Sequence, residues 1–574
     1  MNKLTRFLPF MRWFPMNGET FKADFIAGIT VALVLIPQSM AYAQLAGLPA
    51  YYGLYAAFLP VAVASLWGSS NQLGTGPVAV VSLLTASSLA VFAAPGSEEF
   101  IALAIMLSLL VGAIQLLLGV FKLGVIVNFL SHPVIVGFTN AAAIIIGLSQ
   151  VSKLFGVPMG RSEHFIQDIV GVFEQVGGTH MPTLVMGVVA IAIMWAIRKY
   201  RPKWPGVLVA VALTTSISWV IGFEAALGGK VVGGIPQGLP SVALPQFDMS
   251  KLGSMLSAAL VISLVGFMEA ISIAKAIAAK TKQRLDPNQE LVGQGLSNLA
   301  GAFTLAFPVS GSFSRSAVNM NAGAKTGLSS VMTAVFVMLT LLFLTPLLYH
   351  LPQAVLAAVI IMAVIGLVNF KAVKHAWQAN RHDGIAAMVT FVATLGFAPH
   401  LDNGIMVGAG LALVLYLMRT MTPRVAQLGR YPDGTLRDIK VNPGIPTSEH
   451  VVAMRFDGQL YFANVSYFED TVLSALADHP KAQYFLVVGD GINQLDASGE
   501  EVIHHLVERL RGVGVELVFS GLKKQVLDVM RKTGLFDIIS QDNIFATEDQ
   551  ALATVYERLG EVARNDLFCV VKAV

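Results

Sequence analysis

The sequence predicts an α-helical polytopic membrane protein of 14 segments in a 7+7 inverted repeat with two broken half-helices, followed by a C-terminal α/β domain. Three observations predict it. Of 574 residues, 55% are hydrophobic and 13% charged, with a mean hydropathy of +0.68, whereas a soluble chain carries roughly 25% charged residues. The charge is uneven: residues 1–422 hold 23 basic and 14 acidic side chains, and residues 423–574 hold 15 and 21. Finally, 73 residues between Asp24 and Glu98 contain no Asp, Glu, Lys or Arg. A membrane-crossing helix needs about 20 residues, so that stretch must hold several. The composition excludes a purely soluble enzyme and a nucleic-acid binder.

Taken in order, the N-terminal run MNKLTRFLPFMRWFPM is too interrupted by Arg and Pro to be a signal peptide, and residues 1–23 read as a basic cytoplasmic tail. Turn residues and charges then divide 24–422 into apolar segments at 24–45, 51–68, 77–93, 99–121, 125–150, 182–198, 206–222, 252–279, 288–305, 312–322, 327–349, 353–370, 384–398 and 404–420. With a cytoplasmic N-terminus, the tail and the connections after even-numbered segments contain Lys3, Arg6, Arg12, Lys22, Lys122, Arg198, Lys199, Arg201, Lys203, Lys280, Lys282, Arg284, Lys325, Lys371, Lys374, Arg381 and Arg419. Those are 17 basic residues, against Lys153, Arg161, Lys230 and Lys251 on the other side. Such a bias places both termini in the cytoplasm, and one miscounted segment would invert every later loop. The third and tenth segments are short, begin at Gly/Pro/Ser-rich breaks and occupy matching places in two halves of seven. That is the sign of an inverted repeat whose broken helices meet at mid-membrane. The alternative is a pair of ordinary helices flanking re-entrant loops.

The breaks carry the candidate chemistry. In Leu73-Gly74-Thr75-Gly76-Pro77-Val78-Ala79, the glycines permit a tight extended turn and the proline suits a first helical position. The free N–H groups of the helix that follows make an anion site. Phe307-Pro308-Val309-Ser310-Gly311-Ser312-Phe313-Ser314-Arg315-Ser316 supplies a second helix start, several hydroxyls and Arg315, the only basic residue between Glu290 and Lys325. An isolated arginine at membrane depth faces water, a partner or an anion; we favour a cavity role over neutralisation by a structural carboxylate. No metal or cofactor is called for, and the natural ligand is a small anion.

Glu269 lies deep in the eighth segment, where a charge costs on the order of 3 kcal/mol on insertion scales. Burial favours its neutral form and a neighbouring guanidinium its charged form, so it is the candidate proton-coupling acid: ionised it repels an anion, protonated it admits one. A helix–helix hydrogen bond to Ser or Gln is the alternative. Gln38 and Tyr42, four apart after Pro37, share a helical face and could line the same cavity, although packing alone explains Tyr42 equally well. Glu290, opening a segment beside basic residues, reads as an interfacial cap or gate. Cys569, the single cysteine, permits no intrachain disulfide and no cysteine metal cluster.

From about 440, strand-like runs at 451–456, 484–488 and 515–519 alternate with helical patterns at 466–478, 499–511, 522–533 and 547–563, which indicates an α/β layer fold. Residues 423–439 read as a linker. His504 and His505 lack ligand-spaced partners, and no phosphate-binding Gly-x-x-x-x-Gly-Lys-Ser/Thr loop occurs, so this is not a nucleotide-driven pump.

The run Ile36-Pro-Gln-Ser-Met-Ala-Tyr-Ala-Gln-Leu-Ala-Gly-Leu-Pro-Ala-Tyr-Tyr-Gly-Leu-Tyr55 resembles the signature of the SulP (sulfate permease) anion transporters. Gly74-Thr-Gly-Pro77, Asp286-Pro-Asn-Gln-Glu-Leu291 and Ser312-Phe-Ser-Arg315 match further motifs of that family in the right order. The resemblance implies a mobile core (about 24–121 and 252–349) and a gate (about 125–222 and 353–420), elevator-like alternating access and a homodimer. It places substrate between the third and tenth segments, at Thr75, Gly76, Pro77 and Val78 and at Ser312, Phe313, Ser314 and Arg315, with Gln38 and Tyr42 beside them. Glu269 matches the acidic position of proton-coupled members. Residues 440–574 resemble a STAS domain, whose phosphorylatable turn is here Asp496-Ala497-Ser498-Gly499. Ala497 replaces one hydroxyl, and Ser498 reads as a helix cap with Glu501 three residues on, in preference to a regulatory site. The expectation is an inner-membrane, proton-coupled importer of sulfate or a similar oxyanion, not an enzyme, with a cytosolic protein partner possible at the STAS domain. Dicarboxylate or bicarbonate transport, an anion sensor and an uncoupled channel are the alternatives.

Overall fold

The computed structural model of the chain describes residues 8–125, 131–160, 164–201, 204–245, 249–563 and 566. Lys3, Arg6, Arg161, Lys203 and Cys569 lie outside the described residues. The chain divides into two compact units, residues 1–412 and 413–574.

Helices fall in each of the fourteen apolar segments. They are α1 (Gly18–Leu45), α2 (Tyr52–Ala56) with α3 (Leu59–Trp67), α4 (Ala79–Leu89), α5 (Glu98–Val120), and α6 (His132–Ser149) with α7 (Val151–Phe155). After α8 (Phe165–Glu174) come α9 (Met181–Tyr200), α10 (Gly206–Val220), α11 (Leu252–Thr281), α12 (Pro287–Phe303), α13 (Phe313–Asn321), α14 (Leu328–Leu339) and α15 (Gln353–Ile365). The set closes with α16 (Phe370–Ala379), α17 (Arg381–Phe397) and α18 (Leu401–Met421). Among the described residues, eight helical stretches are long and apolar enough to cross a membrane. Starts follow capping chemistry: Asn17, Ser97 and Asp286 accept backbone N–H bonds at the heads of α1, α5 and α12. The twelfth segment does not run to 370. Its helix stops at Ile365, because Asn369 accepts the N–H of Ala372 and begins α16 as a separate helix.

Small residues let these helices approach closely. A Cβ on Gly295 of α12 would stand 2.5 Å from the backbone nitrogen of Leu116 in α5, so the two helices touch backbone to backbone. Asp24, wholly buried, accepts the N–H groups of Lys325 and Thr326 at 2.7 and 3.1 Å and the Thr326 hydroxyl at 2.6 Å, which ties α1 to the loop before α14.

In the second unit, a six-stranded sheet has the order β4-β3-β5-β6-β7-β8, counting from β3 (Arg424–Arg430) because β1 (Gly74–Gly76) and β2 (Ser310–Ser312) belong to the first unit. The other strands are β4 (Leu436–Asp438), β5 (Val451–Asp457), β6 (Tyr484–Val488), β7 (Glu516–Ser520) and β8 (Ile544–Phe545). Strands β5 to β8 pair in parallel, while β3 runs antiparallel to both β4 and β5. Alternation along β5 sends Val452, Met454 and Phe456 under α19 (Val465–Ala477), α20 (Ala497–Arg511) and α21 (Lys524–Thr533), and Val451 and Ala453 towards α23 (Glu548–Leu559), which follows α22 (Leu535–Ile539). The α/β layering expected from the alternating runs is therefore present. Residues 423–439 are not a linker: they form the β3–β4 hairpin, whose Tyr431-Pro-Asp-Gly434 turn breaks the apolar pattern into pieces too short to stand out.

The expected cap at Ser498 is also corrected. Asp496 is the N-cap of α20, accepting the Gly499 N–H at 2.9 Å through one carboxylate oxygen and the Phe462 N–H at 2.9 Å through the other. Asp496→Ala is expected to destabilise the C-terminal unit by about 1 kcal/mol or more, and Ser498→Ala by less than about 0.5 kcal/mol. Thermal unfolding of the two variants separates these outcomes.

Candidate functional site

The two chain breaks meet. Gly74–Gly76 forms β1 and Ser310–Ser312 forms β2, and they pair antiparallel with Gly74 opposite Ser312, Thr75 opposite Gly311 and Gly76 opposite Ser310. β2 rests on α11: the Ser310 hydroxyl donates to the Gly266 carbonyl at 2.6 Å, and a Cβ on Gly311 would stand 2.9 Å from the Cα of Ala270. This contact brings Glu269 beside the breaks. Each strand leads into a short helix. The N-cap of α4, Val78, has no side chain able to accept, and the N-cap of α13, Ser312, accepts only the Arg315 N–H. Uncapped N–H groups of both helices are left to a ligand.

A cavity of about 560 Å³ lies against these helix starts. Gln38, Tyr42, Val78, Glu269, Ser312, Phe313 and Ser314 line it, so seven of the eleven residues singled out for anion binding and proton coupling share one chamber. Arg315 sits behind this wall, fully buried. Its Nη1 donates to the Pro77 carbonyl at 2.7 Å and to the Gln38 carboxamide oxygen at 3.5 Å, while Nε and Nη2 have no partner among the described residues. Gln38 in turn donates its amide to the Tyr42 hydroxyl at 3.0 Å. With that oxygen accepting, the Tyr42 proton is free to point into the cavity. One Glu269 carboxylate oxygen is buried and unpartnered, and among the described residues neither Glu269 nor Arg315 belongs to an ion pair. A carboxyl group at the pocket and a guanidinium behind its wall are thus held with hydrogen-bonding capacity unspent, although leaving such groups unsatisfied is costly.

Three of the expected residues serve differently. Thr75 is not among the cavity's lining residues and accepts from Gln294 at 2.9 Å, Pro77 contributes its carbonyl to Arg315, and Gly76, lacking a Cβ, leaves room for the Arg315 guanidinium. Gly76 has φ +143°, and a Cβ there would stand 3.3 Å from Nη2. Glu290 accepts the Ser69 N–H, the Ser69 hydroxyl and the Ser70 N–H at 2.8, 3.0 and 3.0 Å, securing the connection that leads to β1.

Two features escape the sequence reading. Asn298 of α12, fully buried, accepts the Val309 N–H at 2.8 Å and donates to the Val309 carbonyl at 3.1 Å, taking the place of a neighbouring strand for the second break. Its neighbour one turn earlier, Gln294, holds the first break through Thr75, so a polar i,i+4 pair within a membrane segment was the available signal. The other is Arg198, at the end of α9, which lines the same cavity and adds a cation to that of Arg315 behind its wall.

Comparison with known proteins places the chain in a family. The model of the sulfate permease family matches residues 21–390, and that of the STAS domain matches residues 442–551. The chain is 36% identical over 567 residues to the chloroplastic sulfate transporter 4.1 of Arabidopsis thaliana, covering 95% of this chain and 81% of that one. It is 31% identical to a probable sulfate transporter of Mycobacterium tuberculosis, covering 94% and 96%. Among solved structures, the mouse solute carrier 26 member A9 anion transporter, in an inward-facing state, superposes with a TM-score of 0.88 at 22% identity, over 96% of this chain and 95% of that one.

Proposed function

The chain belongs to the sulfate permease family, a family of membrane transporters and not of enzymes, and from that premise we propose that it imports sulfate or a similar small oxyanion together with protons across the inner membrane. The observation that carries this reading is the β1–β2 pairing, which sets two helix starts and the acid Glu269 at a single cavity, with the unspent donors of Arg315 behind its wall. In the proposed cycle, the anion accepts from the N–H groups that open α4 and α13, from the Ser312, Ser314 and Tyr42 hydroxyls, and from the Nε and Nη2 donors of Arg315 that reach it from behind the wall. Glu269 admits it when neutral and expels it when ionised.

The cavity walls support elevator-like movement. Gln38, Glu269 and Ser312 come from the segments assigned to the core, whereas Met194, Val207 and Val359 come from those assigned to the gate. Sliding of a 7+7 core past its gate would exchange the membrane face to which the pocket opens. The pocket reaches Arg198 and Trp204, on the side of the basic connections, which fits a cytoplasm-facing state with both termini inside. A homodimer and a cytosolic partner at the STAS domain complete the reading.

Coupling has an energetic rationale: bringing a divalent anion into a negative-inside cell costs about 4.6 kcal/mol per 100 mV, at about 2.3 kcal/mol per charge. Two protons cancel that electrical cost, and further protons drive accumulation. Radiolabelled sulfate uptake into proteoliposomes tests the proposal. Accumulation that requires an inward proton gradient is expected; gradient-indifferent flux would indicate a channel, and absent flux a sensor. Gly76→Ala is expected to weaken sulfate binding about tenfold, equivalent to about 1.4 kcal/mol, because the added methyl presses on Nη2 at a backbone angle that favours glycine. Sulfate titration of the purified variant checks this.

A further inference from the structure

We propose a second anion site, for the phosphate group of an acidic phospholipid, in a cavity of about 300 Å³ at the end of the bundle that bears the basic connections. Lys122 and Lys275 line this cavity with Ser272, Asn288, Phe267 and Met268. Two ammonium groups in one cavity repel each other, and neither belongs to an ion pair among the described residues. Lys275 stands six residues, about 9 Å at 1.5 Å per residue, before the end of α11. That depth suits a lipid headgroup, and an uncompensated charge there is costly. Ser272, three residues earlier on the same helix face, adds a hydroxyl donor. The neighbouring acid, Asp286, is turned to its own helix, accepting the Asn288 and Gln289 N–H groups at 2.9 and 3.3 Å. Asn288 accepts the Gly124 N–H at 3.0 Å and so holds the end of α5, with Lys122, against α12.

The apolar half of the cavity selects a lipid over a soluble phosphate. Phe267 and Met268 form one wall, and Phe121 and Val125 beside it are 67% and 64% exposed, giving acyl chains a surface that inorganic phosphate cannot use. Basic pockets between membrane helices on the side of the basic loops hold anionic headgroups, with each lysine contributing about fivefold in affinity. The site uses none of the residues of the central pocket, so it stands independently of the transport reading.

Native mass spectrometry of the full-length protein, titrated with phosphatidylglycerol and with phosphatidylcholine, tests the site. Wild type is expected to bind phosphatidylglycerol preferentially. Lys122→Gln with Lys275→Gln should weaken that binding roughly thirtyfold, while the corresponding arginine pair retains it and Lys371→Gln with Lys374→Gln leaves it unchanged. Millimolar inorganic phosphate should not displace the lipid. Equal binding of the two lipids, equal loss in the Lys371/Lys374 variant, or displacement by phosphate would each overturn the proposal. A thermal melt of the glutamine pair matching wild type shows that lost binding is not lost folding.

Discussion

Arg315→Gln is expected to lower sulfate transport at least a hundredfold and to abolish the rise in melting temperature that sulfate confers on the wild-type protein. The guanidinium is fully buried, yet among the described residues only Nη1 is satisfied, while Nε and Nη2 have no partner. Hydrogen bonds to charged groups contribute about 1.5–3 kcal/mol each, so two such bonds gained only when an anion arrives account for a hundredfold or more. A purely structural arginine would be bonded throughout, and its loss would destabilise the empty protein. Here the empty protein already bears unsatisfied buried donors, and removing them should leave its melting temperature little changed. A large fall in stability without sulfate would assign Arg315 to the scaffold. Thermal melts with and without sulfate, beside transport assays, separate the two roles.

Glu269→Gln is expected to uncouple transport from protons. The glutamine mimics the neutral acid in shape and charge, so the variant should bind sulfate at alkaline pH about as well as at acid pH. Wild-type affinity should instead rise as pH falls, because protonation removes the negative charge beside the pocket. Downhill sulfate exchange should persist in the variant while gradient-driven accumulation is lost, since no group remains to carry the proton. Exchange and accumulation measured in the same proteoliposomes at two pH values check the prediction. Unchanged gradient dependence would remove Glu269 from the coupling step.

The helical segments and both breaks were legible because an apolar run without charges has few alternatives in a membrane protein, and because Gly, Pro and Ser interrupt it where the helices break. Arg315 and Glu269 were legible for the same reason, as charges where charges are expensive. What joins them was not. Asn298 and Gln294 act through buried hydrogen bonds to residues distant in sequence, and nothing local reports the partner. Arg198 reads as one more basic loop residue until α9 is seen ending at the cavity. Asp24 passes for a segment boundary, although it is a buried acceptor for the loop before α14. In the second unit the β3–β4 hairpin was missed because β3 has few apolar residues between its charged ends, Arg424 and Arg430, and β4 spans only three residues. The cap at Asp496 was missed because the neighbouring serine is an equally good capping residue.

Selenate, a heavier mimic of sulfate, locates the anion most directly through its anomalous scattering in crystals of the full-length protein. The peak is expected between the starts of α4 and α13, within hydrogen-bonding distance of Ser312 or Ser314 and on the side of the pocket facing Arg315. A peak elsewhere in the bundle, with the Arg315 donors still unpartnered, would contradict the assignment of the paired chain breaks as the substrate site.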